Sequence, residues 1–294
     1  MKSLLIVNPT SGQGMAAWER RRLVKLASTS PDVVTVLPDS TDHTVELART
    51  ALANGFDRVL AAGGDGTINC VINGVGRSGV PVGIIPLGTG NVLARDLGIP
   101  CNDVRQALDI ITANNVRPLD LGKVGDRLFT LMTGFGFDAE VVDSVDPAAK
   151  DVFGTMAYAG PVLAKLFTYG PAHFKLTFEN GPVYEADAYA VVVANCGRYA
   201  YNLHIAPHAV FDDGLLDVMI FEAGPGAAFR FVGQALEVFF QKQINDPHTT
   251  YFKSSSVLVE SNPSVKMQVD GDVCGESGVR VEVLRKALNL IVPG

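Results

Sequence analysis

The sequence predicts two domains. Residues 1–122 read as an α/β domain with a Rossmann-like, mostly parallel sheet, and residues 123–294 as a mainly antiparallel, β-sandwich-like domain. Three observations carry this. The 294 residues exceed the roughly 150 of an average domain. Short β-branched or Leu-rich runs alternate with helical patterns in the first half, which is the sequence form of βαβ units. Beyond Gly122–Gly125 the texture changes to period-two strands separated by turns. A return of the last strand to the domain interface is left open. The 47% hydrophobic and 19% charged composition excludes a disordered chain, and 30 Gly with 16 Pro imply many turns rather than a helical bundle.

The first domain offers strands at residues 4–7, 33–37, 58–62 and 82–85. Between the second and third, Val45, Ala48 and Leu52 recur at i, i+3 and i+7, which predicts a helix with Thr41 as N-cap and Asn54-Gly55 as its closing signal. The second domain offers strands at 174–178, 189–195, 216–221 and 279–283, with helices at 154–168 and 226–243.

Twenty-four Lys+Arg against 31 Asp+Glu give a net charge of −7, which argues against nucleic acid as the partner. Cys70, Cys101, Cys196 and Cys274 form no C-x-x-C pair, so no zinc ribbon or dithiol site is signalled and a reducing, cytoplasmic setting fits. The apolar run at 4–7 is far shorter than a secretory segment, and no stretch reaches the roughly 18 apolar residues of a membrane span. Any membrane contact is therefore expected to be peripheral, at the inner face. Glu19, Arg20, Arg21, Arg22 and Lys25 form a charged helix face. It reads as a solvated surface, with attraction to anionic headgroups as the alternative. Phe153, Met156, Tyr158, Leu163, Leu166, Phe167 and Tyr169 read as core packing of a helix, with an acyl-chain cleft as the alternative.

In an open parallel sheet, ligands bind beyond the carboxyl ends of the strands. Three loops there carry unusual residues: Asn8-Pro9-Thr10-Ser11-Gly12, Gly63-Gly64-Asp65-Gly66-Thr67 and Pro86-Leu87-Gly88-Thr89-Gly90-Asn91. Each precedes a helical segment, so backbone N–H groups can face an anion while missing Cβ atoms let phosphate oxygens approach. No G-K-[ST] follows the glycines, so a Walker A loop is not indicated. Asp65 would repel a bare phosphate but suits one carried with Mg²⁺, which points to a magnesium-bound nucleoside triphosphate.

Two other patterns are weaker. Gly134-x-Gly136-x-x-Ala139 matches a dinucleotide fingerprint in letters, yet Asp138 would sit beside the pyrophosphate and the neighbouring strands look antiparallel. His204 and His208 have i, i+4 spacing, but Pro207 between them breaks the helix that would align them for zinc.

The three loops, in this order and at these separations, resemble the diacylglycerol kinase and sphingosine kinase superfamily, whose glycine-aspartate loop is shared with NAD kinases and phosphofructokinases. The resemblance continues through Gly134-Phe135-Gly136-Phe137-Asp138-Ala139, Ala206-Pro207, Asp212-Asp213-Gly214-Leu215 and Asp270-Gly271-Asp272, and so covers essentially the whole chain. It implies an NAD kinase- or phosphofructokinase-like nucleotide domain that binds ATP and a β-rich domain that meets the lipid. It also implies Asp270 as general base, with Asp272 in support. Asp65 would join the Mg²⁺ and water network. Asn8, Ser11, Gly12, Gly63, Gly64, Gly66, Thr67, Gly88, Thr89 and Asn91 would surround the phosphates. Asp212 and Asp213, with the carbonyl of Leu215, resemble a second, structural Mg²⁺ site, for which a solvated Asp-Asp-Gly turn is the equal alternative.

This sequence departs from the family pattern at two places. Val92 stands where many bacterial members carry a carboxylate, and Asp272 stands where Glu is usual. The expected activity is ATP- and Mg²⁺-dependent phosphorylation of diacylglycerol or a related lipid at a membrane surface. A sphingoid or other long-chain acceptor, a weakly catalytic nucleotide-binding regulator and an NAD-kinase-like metabolite kinase are the alternatives. A homodimer is left open.

Overall fold

The computed structural model describes residues 1–11, 15–101, 103–144, 169–200, 203–223 and 248–294. The chain divides into two compact units, Met1–Leu121 with Arg285–Gly294, and Gly122–Leu284.

The first unit contains β1 (Ser3–Val7), α1 (Met15–Ala27), β2 (Val33–Val36), α2 (Thr41–Thr50), β3 (Arg58–Gly63), α3 (Asp65–Val75), β4 (Val82–Pro86), α4 (Val92–Asp96) and α5 (Val104–Ala113). Its sheet runs β4-β3-β1-β2, with every pairing parallel. All residues of β1 and β4 are buried, as expected of strands covered on both faces. Leu5, Val7, Leu60, Ala62 and Ile85 pack with Leu23 and Ala27 of α1 and with Val104, Ala107 and Ile111 of α5. Each of the larger side chains contributes roughly 1.5–3 kcal/mol by leaving water.

The helix at 41–50 differs from its sequence pattern in two details. Ser40, not Thr41, is the N-cap, because Ser40 is extended and its Oγ accepts from His43 N at 3.1 Å. Leu52 lies beyond the helix and is 56% exposed, while the inward positions are Thr44 and Ala48. The neighbouring helix explains the small residues. A Cβ on Gly74 of α3 would stand 2.4 Å from Val45 O and 2.6 Å from Ala48 Cβ, so the two helices touch backbone to backbone.

Two strands, β5 (Val116–Val124) and β17 (Val279–Ile291), cross the division of the chain. The end of β17 pairs in parallel with β4 through Leu290 and Val82. The second unit contains β6 (Arg127–Phe129), β7 (Met132–Gly136), α6 (Phe137–Asp143), β8 (Ala172–Phe178), β9 (Val183–Ala194), β10 (Arg198–Ala200) and β11 (Leu203–His204). It continues with β12 (Leu216–Glu222), β13 (Thr249–Ser254), β14 (Ser256–Asn262), β15 (Lys266–Val269) and β16 (Asp272–Glu276). These strands form an antiparallel β-sandwich. The 12-residue β9 is its spine, pairing with β8 through its first half, with β7 through its second, and with β12 along its other edge. Phe129, Phe135, Phe174, Leu176, Val191 and Val218 anchor the core. The helices expected at 154–168 and 226–243 lie outside the described residues, as do Phe153 through Phe167 of the aromatic region. Among the described residues no helix is long and apolar enough to cross a membrane.

Candidate active site

Hydrogen bonds lace the three glycine-bearing loops of the first unit together. Asn8 Nδ2 donates to Thr67 Oγ1 at 2.9 Å, and Asn8 N donates to Ala62 O at 2.9 Å. Leu87 N donates to Gly63 O at 2.8 Å. Asp65 Oδ1 accepts from Val92 N at 2.7 Å and Leu93 N at 3.4 Å. Asn8, Gly63, Gly64, Asp65, Gly66, Thr67, Gly88, Thr89 and Asn91 therefore stand in one connected loop cluster. Ser11 is tied in by its amide to Asn8 O at 3.4 Å, and its carbonyl accepts from Arg20 Nη1 at 2.5 Å. Gly12 lies outside the described residues.

The glycines do different work. A Cβ on Gly88 would fall 2.5 Å from Gly64 Cα, one on Gly63 would fall 2.5 Å from Thr67 Oγ1, and one on Gly90 would fall 2.8 Å from Asp65 Oδ2. These three let the loops close on each other. Gly66 is exposed and a Cβ there would meet nothing within 4 Å, so its backbone is open to a ligand. Gly64 caps α3 without a side-chain bond, and the amides of the first helical turn have no intrahelical acceptor. Asn91 is fully buried with φ +50. Its side-chain amide grips the Gly88 backbone, accepting from Gly88 N at 2.9 Å and donating to Gly88 O at 2.7 Å, so it shapes the loop from within. Burial raises the Asp65 carboxyl pKa despite the amides of Val92, Leu93 and Asn91 that pull it down.

In the second unit Asp270 and Gly271 form the two-residue turn between β15 and β16, with φ +47 and +87. Both residues are left-handed, the geometry that matches the twist of a tight hairpin. The half-buried Asp270 carboxylate accepts four hydrogen bonds. Thr130 N and Oγ1 donate to Oδ2 at 2.9 and 3.2 Å, and Leu131 N and Met132 N donate to Oδ1 at 2.9 and 3.0 Å. Burial nevertheless pushes its pKa up to about 6, against the downward pull of those donors.

A second chain of bonds holds the turn from behind. Gly271 N donates to Gln268 Oε1 at 2.7 Å, Gln268 Nε2 donates to Asp138 Oδ2 at 2.7 Å, and Tyr199 Oη donates to Asp138 Oδ1 at 2.5 Å. Asp138 sits tight against Gly134, where a Cβ would collide with its carboxylate at 1.7 Å. Gly136, with φ +81, releases the chain into α6. The 134–139 motif thus buttresses the Asp270 turn, and its strand is antiparallel to both neighbours. Asp272 points outward, its carboxylate 75% exposed and 3.3 Å from Arg127 Nη2.

The turn at Asp212-Asp213-Gly214-Leu215 is built around a lysine. Lys253 Nζ donates to Asp213 Oδ2 at 3.0 Å and to His208 O at 2.9 Å, and lies 3.6 Å from Asp217 Oδ1. Leu215 contributes its amide, which donates to Asp213 Oδ1 at 3.0 Å. Both Asp213 oxygens are thus engaged, one by Lys253 and one by the Leu215 amide. Asp217 is fully buried. Its pKa is pushed up to about 6, chiefly by burial, with Lys253 opposing and Asp213 adding to the rise. No cluster of three or more His, Cys, Asp or Glu side chains suited to a metal occurs among the described residues.

Known proteins match this chain over nearly all of its length. The family model of the diacylglycerol kinase catalytic domain matches residues 2–124, and that of the YegS C-terminal NAD kinase beta sandwich-like domain matches residues 132–292. The chain belongs to the diacylglycerol kinase-like lipid kinases. A diacylglycerol kinase of Bacillus subtilis is 28% identical over 99% of this chain and 96% of its own. One of Mycobacterium tuberculosis is 27% identical over 99% and 95%. A crystal structure of a diacylglycerol kinase from Bacillus anthracis superposes with a TM-score of 0.77 at 26% identity, covering 99% of this chain and 97% of that one.

In this lipid kinase, sequence reasoning missed the residues that act through the candidate site. Thr130, Gln268 and Tyr199 carry no motif, and Leu131 and Met132 contribute only amides. The available signal was weak: a polar Gln268 between the apolar Met267 and Val269, where a buried amide needs partners. Val92 proves to be the first residue of α4, 7% exposed, and the donor of the shortest bond to Asp65. Whatever side chain stands there, its backbone fixes the aspartate.

Proposed function

We propose that this lipid kinase transfers the γ-phosphoryl group of ATP to the hydroxyl of diacylglycerol or a closely related lipid at a membrane surface. The observation that carries the reading is the lacing of the three loops, with open backbone at Gly66 and uncapped amides at the start of α3. Such a cradle suits phosphate oxygens, and Asp65 beside it suits the waters of a hard cation. Mg²⁺, when bound there, spreads the charge of the triphosphate.

The acceptor hydroxyl oxygen forms the new bond to the γ-phosphorus as the bond to the β-phosphate oxygen breaks. ADP leaves with that electron pair, and the hydroxyl proton goes to Asp270. A carboxyl pKa near 6 keeps the group ionised at neutral pH while leaving it basic enough to accept a proton. A carboxylate has about four acceptor positions, and here all four are filled. Three of the donors are fixed amides; Thr130 Oγ1 is a hydroxyl that rotates. We infer that Thr130 turns its O–H aside as Asp270 Oδ2 takes the proton, then accepts from the new carboxyl group.

A second reading, a nucleotide-binding protein with little transfer, is favoured by the apolar Val92 at a position where the family resemblance implies a carboxylate. One assay separates the two. The full chain is incubated with Mg²⁺, labelled ATP and, in parallel, detergent-dispersed diacylglycerol, a sphingoid base and NAD. Label on diacylglycerol, abolished in Asp270→Asn, supports the proposal. Label on another acceptor reassigns the substrate, ATP binding without transfer supports the second reading, and full turnover by Asp270→Asn removes Asp270 from the chemistry.

A further inference from the structure

We propose that Asp138, acting through Gln268, is a positioning residue for the Asp270 carboxylate. This deepens the proton-acceptor reading above and rests on it. Asp270 needs holding, because it is a non-glycine residue in the left-handed region, with φ +47, where its Cβ crowds the following carbonyl oxygen. Such a residue persists only where its surroundings over-determine it. Donors on Thr130, Leu131 and Met132 grip its side chain. The backbone of the turn is gripped separately, by Gln268 Oε1, which accepts from Gly271 N at 2.7 Å.

The chemistry of this second grip runs in one direction. Gly271 N–H can only donate, so the Gln268 atom that meets it must be the carbonyl oxygen, and the Gln268 NH₂ group must face the other way. It faces Asp138 Oδ2, 2.7 Å away, which must therefore accept. Asp138 Oδ1 takes the Tyr199 hydroxyl. These two partners pull the Asp138 pKa down against the rise caused by burial. Gln268 and Asp138 are both buried, so an amide turned the wrong way would leave two donors facing each other out of solvent. Sheet register brings the pair together. Gln268 stands opposite Gly134, and Asp138, four positions after that glycine, lays its carboxylate where a Cβ at 134 would lie. An apolar pair of the same shape would fill this space without burying a charge. It would leave the Gly271 amide unpaired and the turn free to rock.

The test uses full-length protein with turnover on detergent-dispersed diacylglycerol. Gln268→Met keeps the length of the side chain and removes the acceptor. It is expected to speed hydrogen exchange at the Gly271 amide, read by NMR, and to lower kcat by about 10–10²-fold with the KM for ATP unchanged. The acid limb of its pH–rate profile is expected to move upward, since a loosened turn relaxes the donors that lower the Asp270 pKa. Gln268→Glu sets two buried carboxylates face to face. They hold one proton between them, so turnover is expected to fall as the pH rises and that proton leaves. In Asp138→Asn/Gln268→Glu the new side-chain amide donates to the new carboxylate, which still accepts from Gly271 N, and the alkaline loss is expected to disappear. Wild-type kcat and pH profile in Gln268→Met overturns the proposal, as does an alkaline loss that persists in the double variant. Thermal unfolding checks each variant; if Gln268→Met does not fold, the comparison of Gln268→Glu with the double variant decides. Full turnover by Asp270→Asn removes the proton-acceptor reading and the positioning role with it, whereas an inactive Asp270→Asn beside a fully active Gln268→Met removes the positioning role alone.

Discussion

Asp65 gives one carboxylate oxygen to the amides of Val92 and Leu93, whereas Asp270 gives both of its oxygens to four donors on Thr130, Leu131 and Met132. Burial raises both pKa values, yet the two attachments have different consequences. Asp65 is a clasp between loops, with Oδ2 lying over Gly90, where a side chain would crowd it. Asp270 is locked in orientation at the tip of a hairpin, and its proton affinity is raised by burial against the pull of a surrounding ring of donors. A carboxylate held by one oxygen suits the organisation of a bound ligand; one held by both suits a fixed point of proton transfer.

The largest expected effects break this comparison if they fall the other way round. Asp270→Asn is expected to lower kcat about 10³-fold with little change in the KM for ATP, while Asp65→Asn is expected to raise that KM as well. Steady-state kinetics at varied ATP, with thermal unfolding as a folding control, check both. A KM effect confined to Asp270→Asn would dissolve the distinction.

The glycines sharpen it next. Gly88→Ala must push a methyl group into the Gly64 backbone and is expected to cost about 1–3 kcal/mol of stability in urea unfolding. Gly66→Ala meets only open space, so it is expected to leave stability nearly unchanged while weakening ATP binding in titration calorimetry.

Asp217 tests how burial behaves beside charged side chains, since it has Lys253 and Asp213 as neighbours in place of the amide ring of Asp270. Its folded pKa of about 6 lies above the ordinary 3.8, so the native state holds the proton more tightly than the unfolded chain. That contribution to stability is fully present below about pH 4 and is lost as the pH climbs through about 6. Asp217→Asn cannot ionise and is expected to gain about 3 kcal/mol at neutral pH, and little near pH 4. Urea midpoints at the two pH values measure this.

The smallest effect concerns the rotating donor. Thr130→Val removes one bond that lowers the Asp270 pKa, so the acid limb of the pH–rate profile is expected to move upward by less than about one unit. Thr130→Ser is expected to restore it.

The parallel half of the fold was legible because its evidence is local. The strands at 4–7, 33–37, 58–62 and 82–85 became Ser3–Val7, Val33–Val36, Arg58–Gly63 and Val82–Pro86, each a short apolar run bounded by turn residues. The glycine loops were legible for the same reason, since Gly63-Gly64-Asp65 announces its backbone geometry in its own letters. The α2 cap was misplaced by one residue because Ser40 and Thr41 are both good caps by type, and only backbone angles choose between them.

Composition, period and loop chemistry alone thus determined an α/β half followed by an antiparallel one, and singled out Asp65; Asp270 entered through the family resemblance. Tertiary structure decided what holds those aspartates. Pairing of β15 with β7, Val269 opposite Thr133 and Gln268 opposite Gly134, brings Asp270 to amides about 140 positions earlier, and folding brings Lys253 to Asp213. Near neighbours encode propensity and periodicity, but a hydrogen bond between distant segments exists only once sheet register has aligned them.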